Sequence, residues 1–173
     1  MNTNLLNHCN RLIEEKGIQV IDLKSIDLTG RLHHISLPVR KGILENLITE
    51  GVGFDASSYG FSKVENSDMV QIPDLSTAVV DLFRDAPTLS FYSTVHLTDD
   101  KRTPFPQDGR HMAKQVEKLL QEYTGADKSM WGPEFEFYIF SKVKYDTRTA
   151  SSYYELEHAE EFHKNAYHAA NPF

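Results

Sequence analysis

The chain has 173 residues, 40% of them hydrophobic, and a formal net charge of −7 at pH 7. This length and composition suit one compact domain, or one domain followed by part of a second. The negative charge does not favour binding to a phosphate backbone, so we expect no nucleic-acid partner. The single cysteine, Cys9, together with the lack of a long apolar run or a signal segment, predicts a cytoplasmic protein without a membrane partner.

The first part of the chain combines helix and strand signals. Apolar residues at helical spacing predict a helix over residues 5–13, which Gly17 ends. Two β-rich runs, 19–26 and 31–37, flank a glycine-containing turn and predict a hairpin. A second helix is predicted over residues 43–48.

A long polar segment, Gly53 to Ser67, follows the second helix. Loops of this length in compact domains are usually functional or mobile. Three further strands are predicted at 69–72, 77–83 and 89–95, separated by proline-containing turns. The order of these elements predicts an α+β fold in which a mixed sheet packs on a helix.

The segment 102–109 contains two prolines and a glycine and is the best candidate for a domain boundary. Asp108 is predicted to cap the helix that follows. One face of that helix carries an apolar stripe that we expect to form core, made of Met112, Val116, Leu119, Leu120 and Tyr123. Gly125 ends the helix.

Two acids mark the next predicted strand, Met130 to Phe140. Because side chains alternate along a strand, Glu134 and Glu136 are expected on one face, with Phe135, Phe137 and Ile139 buried on the other. Carboxylates about 6–7 Å apart on one face can reach a common pair of Mg²⁺ or Mn²⁺ ions. The alternative is a solvent-facing strand with alternating charge. Beyond Phe140 the only predicted element is a short helix around residues 155–168.

Asp55 lies between an aromatic residue and two small hydroxyl residues, Ser57 and Ser58. A carboxylate in this setting can hold an ammonium ion and take a proton from it, and the hydroxyl groups can help to position the cation. The alternative is a turn in which the Asp55 side chain binds the backbone two residues further on. Asp68 and Asp74 are assigned to turns or helix caps.

The histidines do not predict a zinc site. His158, His163 and His168 recur every five residues, whereas ligands on one helix face need a spacing of three or four. His33 and His34 belong to the predicted hairpin and are expected at the surface.

Several short motifs, taken in order, resemble the N-terminal part of type I glutamine synthetase. They are Phe54-Asp55-Ala56-Ser57-Ser58-Tyr59-Gly60-Phe61, Ser67-Asp68-Met69, Pro73-Asp74 and Gly132-Pro133-Glu134-Phe135-Glu136-Phe137. The resemblance runs from Gly17 to Phe140. It implies a β-grasp N-terminal domain at residues 1–106 and, at 107–173, the first helix and strand of a glutamine synthetase catalytic domain.

The resemblance also implies an activity. ATP phosphorylates the side-chain carboxylate of glutamate, and ammonia then attacks the acyl phosphate to give glutamine. Asp55 matches the catalytic, ammonium-binding aspartate, Ser58 a nearby ammonium-site serine, and Glu134 and Glu136 the first two ligands of Mg²⁺ or Mn²⁺. Such enzymes form homo-oligomeric rings with each active site between adjacent subunits.

Three departures from the family pattern leave alternatives open. Ala56 stands where the family usually has glycine, the segment from Ser58 to Phe61 is one residue shorter, and the pattern is lost after Phe140. A ligase that joins glutamate to another amine, such as a polyamine, and a non-catalytic β-grasp assembly module therefore remain alternatives. The family's remaining metal, glutamate and ATP ligands would lie beyond Phe173, so we expect an N-terminal piece that is inactive by itself.

Overall fold

A computed structural model describes residues 3–158 and divides the chain into two compact units, Met1–Ser129 and Met130–Phe173. The helices of the first unit are α1 (Thr3–Glu15), α2 (Ile43–Thr49) and α3 (Gly109–Thr124). Its strands are β1 (Val20–Ile26), β2 (Leu32–Pro38), β3 (Val52–Asp55), β4 (Asp68–Pro73), β5 (Val79–Asp81) and β6 (Thr88–Leu97). In the second unit, β7 (Phe140–Arg148) pairs with β8 (Ser151–His158).

The strands of the first unit form one mixed sheet in the order β2-β1-β6-β4-β3, with β5 also paired to β6. β1 and β6 are parallel, and the other neighbours are antiparallel. The predicted hairpin is confirmed, because β1 pairs with β2 from Val20 opposite Pro38 to Ile26 opposite Leu32. The predicted α+β class is confirmed as well.

The main core lies where α1 and α2 pack on this sheet. β1 contributes Ile21 and Leu23, two residues apart and both fully buried, because alternate side chains share a face. The remaining members of the cluster are Leu6, Cys9, Ile18, Ile43, Leu44, Leu47, Leu89 and Phe91. The helical spacing of the apolar residues in α1 and α2 accounts for their place in the core.

The segment Gly53 to Ser67 is not the irregular loop that the sequence predicted. Its first residues belong to β3, and two short 3₁₀ turns, Ala56–Tyr59 and Val64–Asn66, follow. Local side-chain hydrogen bonds cap the first turn. Apolar side chains of the segment are buried beneath it. The resulting second core cluster consists of Ala56, Tyr59, Phe61, Met69, Val95 and Phe105.

β5 is shorter than the predicted strand 77–83. A 3₁₀ turn, Leu75–Thr77, precedes it because the Asp74 side chain accepts a hydrogen bond from the Ser76 amide. At the other end, Asp81 accepts a hydrogen bond from the Phe83 amide, which turns the chain away from the sheet. Local side-chain caps of this kind compete with strand pairing.

The start of α3 is as predicted, but the burial of its apolar stripe is not. Asp108 accepts hydrogen bonds from the amides of Arg110 and His111 and is almost fully buried. The stripe that was expected to form core is exposed instead: Met112, Val116, Leu119, Leu120 and Tyr123. Periodicity shows which face of a helix is apolar, but it does not show whether this part of the chain supplies a surface to cover it.

In the second unit the predicted strand Met130–Phe140 is wrong. Residues 131–139 form neither helix nor strand, and Phe135, Phe137 and Ile139 are 84%, 76% and 68% exposed. A strand needs a neighbour for its backbone N–H and C=O groups, and within residues 3–158 none pairs with this segment.

The predicted helix around residues 155–168 is wrong for its first residues, which belong to β8. Its remaining residues lie outside the described part of the chain. Tyrosines at positions 145, 153 and 154 favour the β-hairpin. Cross-strand ion pairs link Lys142 to Glu157 at 3.1 Å and Lys144 to Glu155 at 3.2 Å. Within residues 3–158, no helix is both long and apolar enough to cross a membrane.

Candidate functional site

Asp55 lies at the end of β3 and caps the 3₁₀ turn that follows. Its Oδ1 atom accepts hydrogen bonds from the Ser57 amide at 2.9 Å and from the Ser57 hydroxyl at 2.6 Å. The Ala56 amide donates to the Ser67 carbonyl at 2.8 Å, which ties the turn to the start of β4. The structure therefore contains the alternative predicted for Asp55, a turn in which its side chain binds the backbone two residues further on. It does not exclude a binding role, because the Asp55 side chain remains exposed.

The hydrogen bonds to Asp55 affect its charge. The Ser57 hydroxyl and then the Ser57 amide hold the pKa of the Asp55 carboxyl below its usual range, because they stabilise the ionised form. The carboxylate is therefore charged at neutral pH and suited to hold a cation. The same shift makes it a weak base, so proton transfer to Asp55 is favourable only from a nitrogen that becomes acidic as it reacts.

Ser58 is exposed beside Asp55, and its hydroxyl donates to the Asp55 carbonyl oxygen at 2.7 Å. A hydroxyl whose proton is used in this way still presents oxygen lone pairs to solvent. The Ser57 hydroxyl at the Asp55 carboxylate and the Ser58 hydroxyl at the Asp55 carbonyl are oxygen atoms that can accept hydrogen bonds from an ammonium group.

Ala56 has a clear physical place in the turn although it departs from the family's glycine. Its side chain is fully buried in the cluster with Phe61 and Met69. The shortened segment closes at Gly60, whose φ of 73° lies in the left-handed region that glycine adopts without strain. Ala56 lies beneath Asp55 in the second core cluster, while Asp55 itself lies at the surface.

Two residues beneath this turn were not predicted from the sequence. Tyr59 is 8% exposed and Gln71 is fully buried, and the Gln71 amide nitrogen donates to the Tyr59 hydroxyl at 3.2 Å. Two signals in the sequence could have pointed to these residues. One is an aromatic residue inside a polar segment, and the other is a glutamine inside an apolar strand. Neither signal indicates by itself that the two side chains meet.

Glu134 and Glu136 are both exposed and lie in the irregular segment of the second unit. Carboxylate oxygens suit Mg²⁺ or Mn²⁺, but Mg²⁺ requires near-octahedral coordination. Within residues 3–158, no group of three or more His, Cys, Asp or Glu side chains is placed to hold a metal ion. These two residues alone do not form a complete metal centre.

The remaining predicted positions have local structural roles. Asp74 caps a 3₁₀ turn as expected, whereas Asp68 begins β4 opposite Asp55. His33 is partly buried rather than at the surface, with Nε2 2.8 Å from Asp27 Oδ2, while His34 is exposed. His158 ends β8, and His163 and His168 lie outside the described residues.

Comparison with known proteins places this fold in a class. Residues 17–98 match the family described as the glutamine synthetase, beta-Grasp domain. The cryo-EM structure of Plasmodium falciparum glutamine synthetase has a TM-score of 0.66 at 20% identity, covering 91% of this chain and 30% of that one. A structure titled GmaS/ADP complex has a TM-score of 0.57 at 21% identity, covering 65% and 25%. At these identities the structures show a shared fold only.

The sequence relatives are more specific. Glutamine synthetases from Frankia alni and Mycolicibacterium smegmatis are 36% and 34% identical to this chain, over 87% and 85% of its length. Residues 17–98 therefore form a glutamine synthetase β-grasp domain, and the resemblance predicted from the sequence is confirmed. The chain spans only 31% and 30% of the length of these two relatives.

Proposed function

We propose that this chain is the N-terminal part of a glutamate–ammonia ligase, a glutamine synthetase. The observation that carries the proposal is the 36% identity to the Frankia alni glutamine synthetase over 87% of the chain. The reaction joins ammonia to the side-chain carboxylate of glutamate through a γ-glutamyl phosphate, which forms at the expense of ATP. Glutamate, ammonium and ATP are the proposed substrates.

Asp55 is the proposed ammonium-binding and catalytic residue, with Ser58 beside it. The ionised carboxylate attracts ammonium, and the surrounding hydroxyl oxygens accept its hydrogen bonds. Ammonium first loses one proton to water, because the NH₄⁺ nitrogen has no lone pair for attack. As the resulting ammonia attacks the carbon of the acyl phosphate, its N–H groups become more acidic, and Asp55 accepts the second proton that leaves. The nitrogen–carbon bond forms, the carbon–oxygen bond to phosphate breaks, and phosphate departs with the bonding electron pair.

Glu134 and Glu136 are proposed as two of the ligands of Mg²⁺ or Mn²⁺, with the others supplied from outside the described residues. When bound, the metal would neutralise phosphate charge during transfer. Manganese binding, followed by electron paramagnetic resonance, tests this role without relying on turnover. Glu136→Gln should weaken binding, and Glu122→Gln, an exposed helix position, should not.

The remaining proposals concern organisation. The protein is proposed to act as a cytoplasmic homo-oligomeric ring in which the Asp55 segment serves a neighbouring subunit's site. The boundary between a β-grasp domain and the start of a catalytic domain is proposed at residues 106 and 107.

The test is a γ-glutamyl hydroxamate and ammonium assay on the enzyme that carries this segment, with Asp55→Asn beside the parent. Asparagine keeps the Oδ1 acceptor of the turn but removes the charge. Because a charged hydrogen bond contributes about 1.5–3 kcal/mol, we expect the KM for ammonium to rise about 10- to 100-fold.

Asp99→Asn is the matched control, because Asp99 is another exposed aspartate that accepts hydrogen bonds from an amide and a hydroxyl, both of Thr103. It should leave the KM for ammonium unchanged. An inactive but folded parent would refute the ligase proposal and favour the assembly module. A parent that prefers a polyamine or another amine to ammonium would instead favour the glutamate–amine ligase.

A further inference from the structure

Tyr59 is the last residue of the 3₁₀ turn that Asp55 caps. The turn is closed by backbone hydrogen bonds from the Gly60 amide to Ser57 O at 3.0 Å and from the Phe61 amide to Ala56 O at 3.1 Å. Asp55 and Tyr59 thus belong to one small unit, with the carboxylate exposed on its outer side and the phenol ring buried on its inner side. Asp55 and Tyr59 are four residues apart and lie at the two ends of this hydrogen-bonded turn.

The Tyr59 hydroxyl joins a buried polar network that links three strands. It lies 3.2 Å from Gln71 Nε2 and 3.5 Å from Ser25 Oγ. The Gln71 amide also donates to Ser25 Oγ at 2.8 Å and accepts from Ser93 Oγ at 2.9 Å. Buried networks of this kind favour one arrangement, because each lost bond leaves a polar group without a partner in a medium of low dielectric constant.

The ring of Tyr59 is held as firmly as its hydroxyl. It stacks on the His33 imidazole with a centroid separation of 4.2 Å and lies 4.7 Å from the Phe54 ring. His33 is held in turn by Asp27 at 2.8 Å, and Asp27 also accepts the Thr29 amide in the turn between β1 and β2. The two ends of the side chain are therefore attached to different parts of the sheet.

A packing role alone does not explain the hydroxyl. The neighbours of Tyr59 in the second core cluster are mainly apolar, and a phenylalanine would fill the same volume. Burying a phenol hydroxyl and a glutamine amide costs free energy unless the two groups stay hydrogen-bonded to each other. This arrangement holds the turn in one geometry at the position where Asp55 projects to solvent.

We propose that Tyr59 is a positioning residue that fixes the Asp55 carboxylate and thereby sets the affinity for ammonium. The proposal rests on the proposed function, because it assumes that Asp55 binds ammonium. In this arrangement Gln71 anchors Tyr59, and Tyr59 anchors the turn. The residue touches no substrate and acts only through Asp55.

The test is Tyr59→Phe in the active enzyme, which removes only the hydroxyl. Loss of one neutral hydrogen bond corresponds to roughly a tenfold change. We therefore expect the KM for ammonium to rise about tenfold, while the KM values for glutamate and ATP stay within about twofold. Tyr92→Phe is the matched control, since it makes the same change at a half-exposed tyrosine of the same unit.

A double variant separates positioning from general loosening. If Tyr59 acts through Gln71, Gln71→Leu and Tyr59→Phe together should raise the KM for ammonium no more than the larger single effect, because both remove the same contact. An unchanged KM for ammonium in folded Tyr59→Phe, or a parallel rise in all three KM values, would overturn the proposal. Either of these results can be obtained only with an active parent enzyme. If the ligase proposal itself failed, the parent would be inactive, so the two failures can be told apart.

Discussion

Gly51 is the residue at which backbone geometry constrains the Asp55 region most sharply. Its φ is +71°, and a Cβ atom there would lie 2.9 Å from the Gln71 carbonyl oxygen. Gly17 also has a positive φ, +59°, but a Cβ atom added at Gly17 would have no neighbour within 4 Å. The two glycines share the conformational requirement and differ only in the available space.

We expect Gly51→Ala to destabilise the protein more than Gly17→Ala. Both variants incur the left-handed penalty of about 1 kcal/mol, and only Gly51→Ala adds overpacking of roughly 1–3 kcal/mol. Urea unfolding of the two variants beside the parent measures the difference. Equal losses of unfolding free energy would contradict the steric argument.

At the same scale, the sequence was informative about Asp55 but not about its surroundings. The Asp-x-Ser spacing predicts the hydrogen bond to Ser57 because the interaction is local. The contact between Tyr59 and Gln71 joins residues 12 positions apart, and nothing in the spacing of the two residues indicates it. Pairing of β3 with β4 brings them together, and this pairing is a property of the sheet.

Among the elements, α3 is joined to the segment that follows β4 through two ion pairs with one aspartate. Asp74, after β4, lies 2.7 Å from both Arg110 Nη2 and Lys114 Nζ. Burial acts to raise the pKa of Asp74, but hydrogen bonds from Lys114, Ser76 and Arg110 outweigh it and hold that pKa well below its usual range. The ionised form is therefore the one that the folded state stabilises.

The sign of the pH dependence follows. Because the pKa of Asp74 is lower in the folded state, its contribution is fully present above the unfolded value of about 3.9 and is lost as the pH falls below it. Asp74→Asn should lower Tm by about 2–4 °C at pH 7, which corresponds to about 1 kcal/mol after solvent screening. Below about pH 4 the difference between variant and parent should shrink.

Thermal unfolding from pH 7 to pH 2.5 checks this expectation, with the exposed Asp100→Asn as control. A Tm difference between Asp74→Asn and the parent that is independent of pH would show that the ion pairs contribute nothing.

The elements also show where pattern reasoning succeeds and fails. α1 and α2 were predicted from their helical spacing, and their apolar residues lie in the core against the sheet. The stripe of α3 and the alternation in residues 131–139 are equally regular, yet both are exposed. An apolar pattern indicates which face of a segment is suited to burial. Whether that face is buried depends on another surface, which the sequence of the segment itself does not contain.

At the scale of the whole molecule, two positions compete as the main division of the chain. The sequence places a boundary at residues 106 and 107, after two prolines, whereas the compact units divide between Ser129 and Met130. In the structure, α3 is tied to the first unit by Asp108, which accepts a hydrogen bond from the Val95 amide, and by the contacts with Asp74. These contacts make α3 part of the first compact unit, and the boundary at residues 106 and 107 stays a proposal.

Limited chymotrypsin digestion of the 173-residue chain distinguishes the two positions. Proteases require a locally open backbone, and Trp131, Phe135 and Phe137 are exposed in a segment without helix or strand. Phe105 is 9% exposed, and its amide is bonded to the Val95 carbonyl. We therefore expect the first cuts to fall after aromatic residues within 131–137. Mass spectrometry should then identify a stable fragment that retains α3.

Phe83 is the internal control, because it is 98% exposed but lies in a short turn held by Asp81. First cleavage at Phe105 would instead favour the boundary at 106 and 107, and first cleavage at Phe83 would show that side-chain exposure matters more than backbone structure.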